Sequence, residues 1–168
     1  MTSLLSRYPN WKCLKRQRSS LTHEYETDVI TLFHAAGDFT IRHRWREGVK
    51  SVEEVSHFLP RVGMRCRCIL ESGEEILYTT GYSYHPHRIE YSETDEQKET
   101  SVHYLLERSG DNKSRLTLDF YVKKNFVTER LFNLFRKKSI EEDLVKSMQN
   151  LVELVKQIRV PEQILPHQ

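Results

Sequence analysis

Residues 114–122 read SRLTLDFYV and residues 139–158 read SIEEDLVKSMQNLVELVKQI, and the change of rhythm between them decides the fold. In the first stretch Leu116, Leu118, Phe120 and Val122 recur at every second position, the period of a strand with one buried face. In the second, Ile140, Leu144, Met148, Leu151, Val155 and Ile158 recur every three or four residues, while Glu141, Glu142, Lys146, Gln149, Glu153 and Lys156 fall off the stripe. The helical rhythm runs over 128–159, and Pro161 stops it. Ser139 followed by Glu142 has the form of a capping box, which predicts a kink and a restart at Ser139. From 139 to 158 such a helix is about 30 Å long, enough to cross a sheet whose strands are roughly 25 Å long. One amphipathic helix can then cover a whole concave sheet face.

Upstream, short β-type runs alternate with turn signals. Strands are expected over 48–55, 64–70, 75–84, 88–94, 100–107 and 114–122, five or six in all and antiparallel. In 64–70, Met64, Cys66, Cys68 and Leu70 alternate with Arg65, Arg67 and Ile69, as in a sheet with one wet face. Before the strands, 28–34 and 39–45 read as two short helices separated by Gly37, the first capped by Thr27 or Asp28. Residues 1–20 read as a basic arm or an irregular first strand, because the segment 10–24 is poorly patterned.

The chain has 168 residues, 38% hydrophobic, 10% aromatic and 30% charged, and reads as one soluble domain over 1–168 rather than a disordered chain or a membrane bundle. The formal charge is +2, but Arg7, Lys12, Lys15, Arg16 and Arg18 all precede the first acidic residue, Glu24. That run reads as a solvated arm, so no nucleic-acid partner and no membrane insertion is expected. An odd cysteine count (Cys13, Cys66, Cys68) with no apolar leader fits a reducing cytoplasm. Cys66 and Cys68 point the same way on a strand, too far apart to bridge.

Four short motifs carry a family resemblance. Trp45-Arg46-Glu47-Gly48-Val49-Lys50-Ser51-Val52 is similar to a tryptophan followed by a Gly-Val-x-x-Val strand, and Val62-Gly63-Met64-Arg65 to a Val-Gly-Thr-Arg start of the next. Pro86-His87-Arg88-Ile89 resembles a Pro-Pro-Arg-Leu turn, and Ser114-Arg115-Leu116-Thr117-Leu118 a Thr-Arg-Leu-Thr-Leu strand. In this order they resemble the polyketide-cyclase and dehydrase group of the SRPBCC superfamily, relatives of the START lipid-transfer domains, over about residues 29–158. The resemblance implies an α+β helix-grip fold, a curved antiparallel sheet wrapped around a long C-terminal helix with two short N-terminal helices. It also implies a cavity between sheet and helix, and no particular reaction or cofactor. The irregular 11–20 segment departs from the family's strongly alternating first strand.

On that reading the cavity is lined by Met64, Cys66 and Cys68 from one strand, Leu118 and Phe120 from another, and Leu144, Met148 and Val155 from the helix. Tyr78, Tyr82 and Tyr84 fall on one face of 75–84, and Tyr91 alternates similarly on the next strand; Tyr78, Tyr82 and Tyr91 would orient a ligand, or pack across strands. Cys66 and Cys68 read as core, since no further ligands stand at zinc spacing, and His85 and His87 flank a turn where nothing else converges; no metal is expected. There is no nucleophile elbow and no phosphate loop, and only six glycines to build one. His103, between Val102 and Tyr104, is the candidate acid or base. Three functions follow: binding of a small, largely apolar molecule, a cyclase- or dehydrase-type enzyme acting on one, or an interaction module of the chaperone-activator type. The last would present Arg65, Arg67, Glu90 and Asp119 to its partner.

Overall fold

The computed structural model describes residues 15–55 and 57–160. Its strands are β1 (Lys15–Tyr25), β2 (Val49–Glu53), β3 (Arg65–Leu70), β4 (Gly73–His85), β5 (Arg88–Asp95), β6 (Thr100–Gly110) and β7 (Lys113–Lys123). Helix α1 (Val29–Gly37) and a 3-10 helix (Phe39–Arg44) lie between β1 and β2, and α2 (Phe126–Phe135) and α3 (Lys137–Val155) follow β7. The seven strands make one antiparallel sheet, curved and unclosed, in the order β1-β7-β6-β5-β4-β3-β2. The alternation in β7 holds throughout: Ser114, Leu116, Leu118, Phe120 and Val122 are all buried on its concave face.

The segment left undecided in sequence is a strand. β1 pairs with β7 from Lys15 opposite Lys123 to Tyr25 opposite Ser114, so Lys15, Arg16 and Arg18 belong to the sheet rather than to an arm. Arg7, Lys12 and Cys13 lie outside the described residues. Between the strands and the helices, Asp28 caps α1, accepting 2.9 Å hydrogen bonds from the Ile30 and Thr31 amides.

The restart of the C-terminal helix is a correction. α3 begins at Lys137, and no side chain caps it. Ser139 already lies in the first turn, and Glu142 turns to Lys138 at 3.8 Å, so the capping box expected of this pair does not form. The apolar stripe still buries Leu144, Met148, Leu151 and Val155, joined by Leu154. Hydrogen bonds tie α3 across the fold: Ser19 Oγ of β1 donates to Glu141 Oε1 (2.5 Å), Tyr25 Oη to the Met148 carbonyl (2.9 Å), the Glu47 amide to Ser147 Oγ (2.8 Å), and Asn150 Nδ2 to the Trp45 carbonyl (3.3 Å).

Candidate functional site

A 3-10 helix turns every three residues, so Phe39, Arg42 and Trp45 share one face of the turn that follows α1. All three are buried, Arg42 to 1% exposure. Asp38 starts the turn, accepting from the Thr40 amide at 2.8 Å. Arg42 packs its guanidinium over the Phe39 ring, 4.8 Å from the centroid, and forms an ion pair with Glu93 of β5, both side chains being 2% exposed. Burial opposes the charge on Arg42 more than any other single influence, but Glu93 together with Tyr104 and the two cysteines outweighs it and keeps the guanidinium protonated.

Glu93 is set by parity. Ile89, Tyr91 and Glu93 point to the concave face, and Tyr91 lies opposite Tyr104 of β6. The two tyrosine rings stack at 4.3 Å, Tyr91 Oη donates to the Ala36 carbonyl (3.3 Å), and Tyr104 Oη donates to Glu93 Oε2 (3.1 Å). Burial pushes both phenols above their ordinary range. A carboxylate thus receives a guanidinium on one oxygen and a phenol on the other, away from water. Neither Glu93 nor Arg42 is among the site residues expected from sequence. The signals available were the shared parity of Glu93 with Tyr91 and the three-residue spacing of Phe39, Arg42 and Trp45.

Beside this pair, Met64, Cys66 and Cys68 pack with Phe39. The two thiols are free and touch at 3.7 Å. The hydrogen bond between the two thiols, with the nearby charge of Arg42, brings Cys68 down to about 7, and the same hydrogen bond together with burial pushes Cys66 up. Opposite Cys68 on β4, burial raises Glu75 above the usual carboxylate range, against the charges of Arg46 and Arg42. Arg46 follows Trp45 and lies 5.6 Å from its ring centroid. Arg42 Nε, Trp45 Nε1 and Arg46 Nη1 are buried and have no hydrogen-bond partner among the described residues.

The other expected site residues divide. Tyr91, Leu118, Leu144, Met148 and Val155 join the main core, with Tyr82 and Tyr84 packed against it; Phe120 packs with Val122 nearby on the same sheet face. Tyr78 does not share the face of Tyr82 and Tyr84. A bulge between Thr79 and Gly81 inserts one residue, so Tyr78 pairs with Thr94 and faces away while Tyr82 pairs with Tyr91. His103 points to the opposite sheet face from Tyr104, where its Nδ1 and Ser92 Oγ are 2.9 Å apart. It does not meet Glu93. On that outer side Arg65 and Arg67 pair with Glu54, Glu53 and Glu74.

At the far end of the sheet, a cleft of about 330 Å³ opens between the start of α1 and two hairpin turns, lined by Asp28, Val29, Pro86, His87, Arg108 and Lys113 among others. Among the described residues no group of three or more His, Cys, Asp or Glu side chains is placed to hold a metal ion, and no helix is long and apolar enough to cross a membrane.

Solved structures share this architecture. A START superfamily protein from Mycobacterium smegmatis superposes with a TM-score of 0.60 at 18% identity, covering 86% of this chain and 100% of that one. The fold is the START-like helix grip. The KanY protein gives a TM-score of 0.64 at 14% identity, over 84% of this chain and 98% of its own, and a protein from Arthrobacter aurescens gives 0.60 at 15%, over 99% and 100%. No family model and no curated protein matches the sequence. Within the helix grip of this chain, the polar groups around Glu93 lie on the concave sheet face against the 3-10 helix that carries Arg42.

Proposed function

We propose that this helix-grip chain binds a small, largely apolar molecule between the concave face of the sheet and the C-terminal helix, and that the groups around Glu93 anchor its polar end. The observation that carries this reading is the buried convergence of Arg42, Glu93 and Tyr104 in an otherwise apolar interior. Packing alone does not call for it, because a buried ion pair rarely outperforms apolar side chains of the same volume. A mostly apolar site with a few convergent polar groups is the common form of a small-molecule pocket. The START-like fold supports the same reading.

Native mass spectrometry of freshly purified protein tests it. A retained small molecule, released on denaturation and absent from a Glu93→Leu, Arg42→Met double variant, is the expected result. Protein that emerges bare, and that takes up no apolar fluorescent probe, would remove the reading.

The same convergence gives the enzymatic reading a specific foothold. Tyr104 and Glu93 share a hydrogen bond that brings a proton donor and a proton acceptor together in the interior, the residue types of a general acid and base. Conversion of the retained molecule, rather than its simple release, is the outcome that favours a cyclase- or dehydrase-type reaction over binding.

A further inference from the structure

We infer that the polar end of the bound molecule is a singly charged oxyanion, a carboxylate or sulfonate, received by the N–H groups of Arg46, Arg42 and Trp45. The inference rests on the ligand-binding reading above and adds the chemical class of the ligand.

Three buried donors in this part of the fold have no partner among the described residues: Arg42 Nε, Trp45 Nε1 and Arg46 Nη1. They come from one turn of chain, and Arg42 and Trp45 are 1% and 0% exposed. Guanidinium and indole nitrogens only donate, so whatever completes them must accept. The Arg46 guanidinium lies 5.6 Å from the Trp45 ring centroid and Arg42 is buried on the same turn, which groups the donors at one end of the 3-10 helix, and both guanidinium charges bear on the Glu75 carboxyl.

Charge selects among the acceptors. Glu93 answers Arg42, but Arg46 has no ion-pair partner among the described residues. Glu75, a carboxyl that feels the charge of Arg46, feels that of Arg42 as well and forms no ion pair within 4 Å with either. A water or a ligand hydroxyl would satisfy an N–H but would bring no charge to Arg46, whose buried Nη1 has no acceptor among the described residues. A carboxylate or sulfonate does both, because either group can turn two oxygens to the guanidinium fork. The Trp45 ring, packed in the main core, joins this polar end to the apolar interior, so the ligand is an amphipathic acid rather than a free anion.

The test is a matched pair of fluorescent probes, 8-anilinonaphthalene-1-sulfonate and N-phenyl-1-naphthylamine, which share an aromatic frame and differ by the sulfonate. The wild-type chain is expected to bind the sulfonate about tenfold or more tightly than the neutral amine, the scale of one charged hydrogen-bonded contact. Arg46→Gln and Trp45→Phe each lower sulfonate affinity severalfold and leave the amine unchanged. Arg44→Gln removes the same charge from an exposed residue of the same turn, one that bonds Gln157, and leaves both affinities alone. Equal affinity of the wild-type chain for the two probes, which needs no variant, overturns the inference and leaves ligand binding standing. Equal losses in Arg46→Gln and Arg44→Gln also overturn it, because attraction by overall charge then explains the binding. If neither probe is taken up, the ligand-binding reading falls and the inference falls with it.

Discussion

Glu93 shows what a single residue position can and cannot reveal. In sequence it stands two places after Tyr91 and four after Ile89, so strand parity assigns it to the buried face, yet an acidic residue near a strand end reads as solvated until a cation is found for it. The cation, Arg42, is 51 positions upstream, and only the fold brings the two together. Met64, Cys66 and Cys68 were legible as one packed face because alternation is local; the ion pair was not, because its partner is not. The energetics give a sharp expectation. Glu93→Ala leaves Arg42 buried without a counter-charge and Tyr104 without its acceptor, and removal of one member of a buried pair costs about 3–5 kcal/mol. Arg42→Met combined with Glu93→Leu removes the unpaired charge along with the pair and should recover most of that loss. Urea unfolding of the two single variants and the double variant measures it. A Glu93→Ala loss no larger than that of a surface substitution, about 0.5 kcal/mol, would mean that the pair is open to water rather than sealed in the interior.

Among the elements, strands with strong alternation were legible and strands with local irregularities were not. β1 escapes the sequence pattern because only Leu21 and Tyr25 are clearly apolar among its inward positions, while Ser20, Thr22 and Glu24 answer Asp119, Thr117 and Arg115 on β7 by polar pairs on the outer face. The bonds that hold the strand are thus written in its partner. β4 misleads for a different reason: a perfect alternation from Tyr78 to Tyr84 is broken by a residue that the period-two rule counts and the ladder skips. This makes Thr80 an unusually informative position. Deleting it restores an unbroken register and carries either Tyr82 and Tyr84 out of the core or Leu77 and Thr79 out of it. The deletion should cost several kcal/mol, since each fully buried large side chain contributes about 1.5–3 kcal/mol. Thr80→Ala, which keeps the bulge and loses only the hydroxyl contact to Thr94, should cost far less. Thermal unfolding of the two proteins side by side separates them, and a deletion as mild as the alanine would show that the bulge does not set which tyrosines face inward.

For the whole molecule, the question is what keeps an unclosed sheet curved around its contents. β1 and β2 are its free edges, so closure falls to the helices, and α3 touches what the sheet alone cannot join: Tyr25 on β1, Trp45 and Glu47 after the 3-10 helix, and the main core between them. The period-four stripe announced this role in the sequence, although neither the start of the helix nor its hydrogen bonds to the far edge were readable there. Five apolar side chains of α3, Leu144, Met148, Leu151, Leu154 and Val155, are buried. At about 1.5–3 kcal/mol each, their burial is of the same order as the entire stability of a domain, about 5–15 kcal/mol. A chain ending at Lys138 loses all of them, and it leaves the concave face with α1 and the 3-10 helix packed against it but without α3. It should show no cooperative unfolding transition and should self-associate, as read by circular dichroism on heating and by sedimentation. Adding residues 139–168 as a separate peptide should restore a transition in part, because the stripe and its hydrogen bonds to β1 and to Trp45 and Glu47 all lie in that segment. A truncated chain that stays monomeric and melts cooperatively would mean that the sheet holds its own curvature, and the helix would then cover the site rather than hold the fold together.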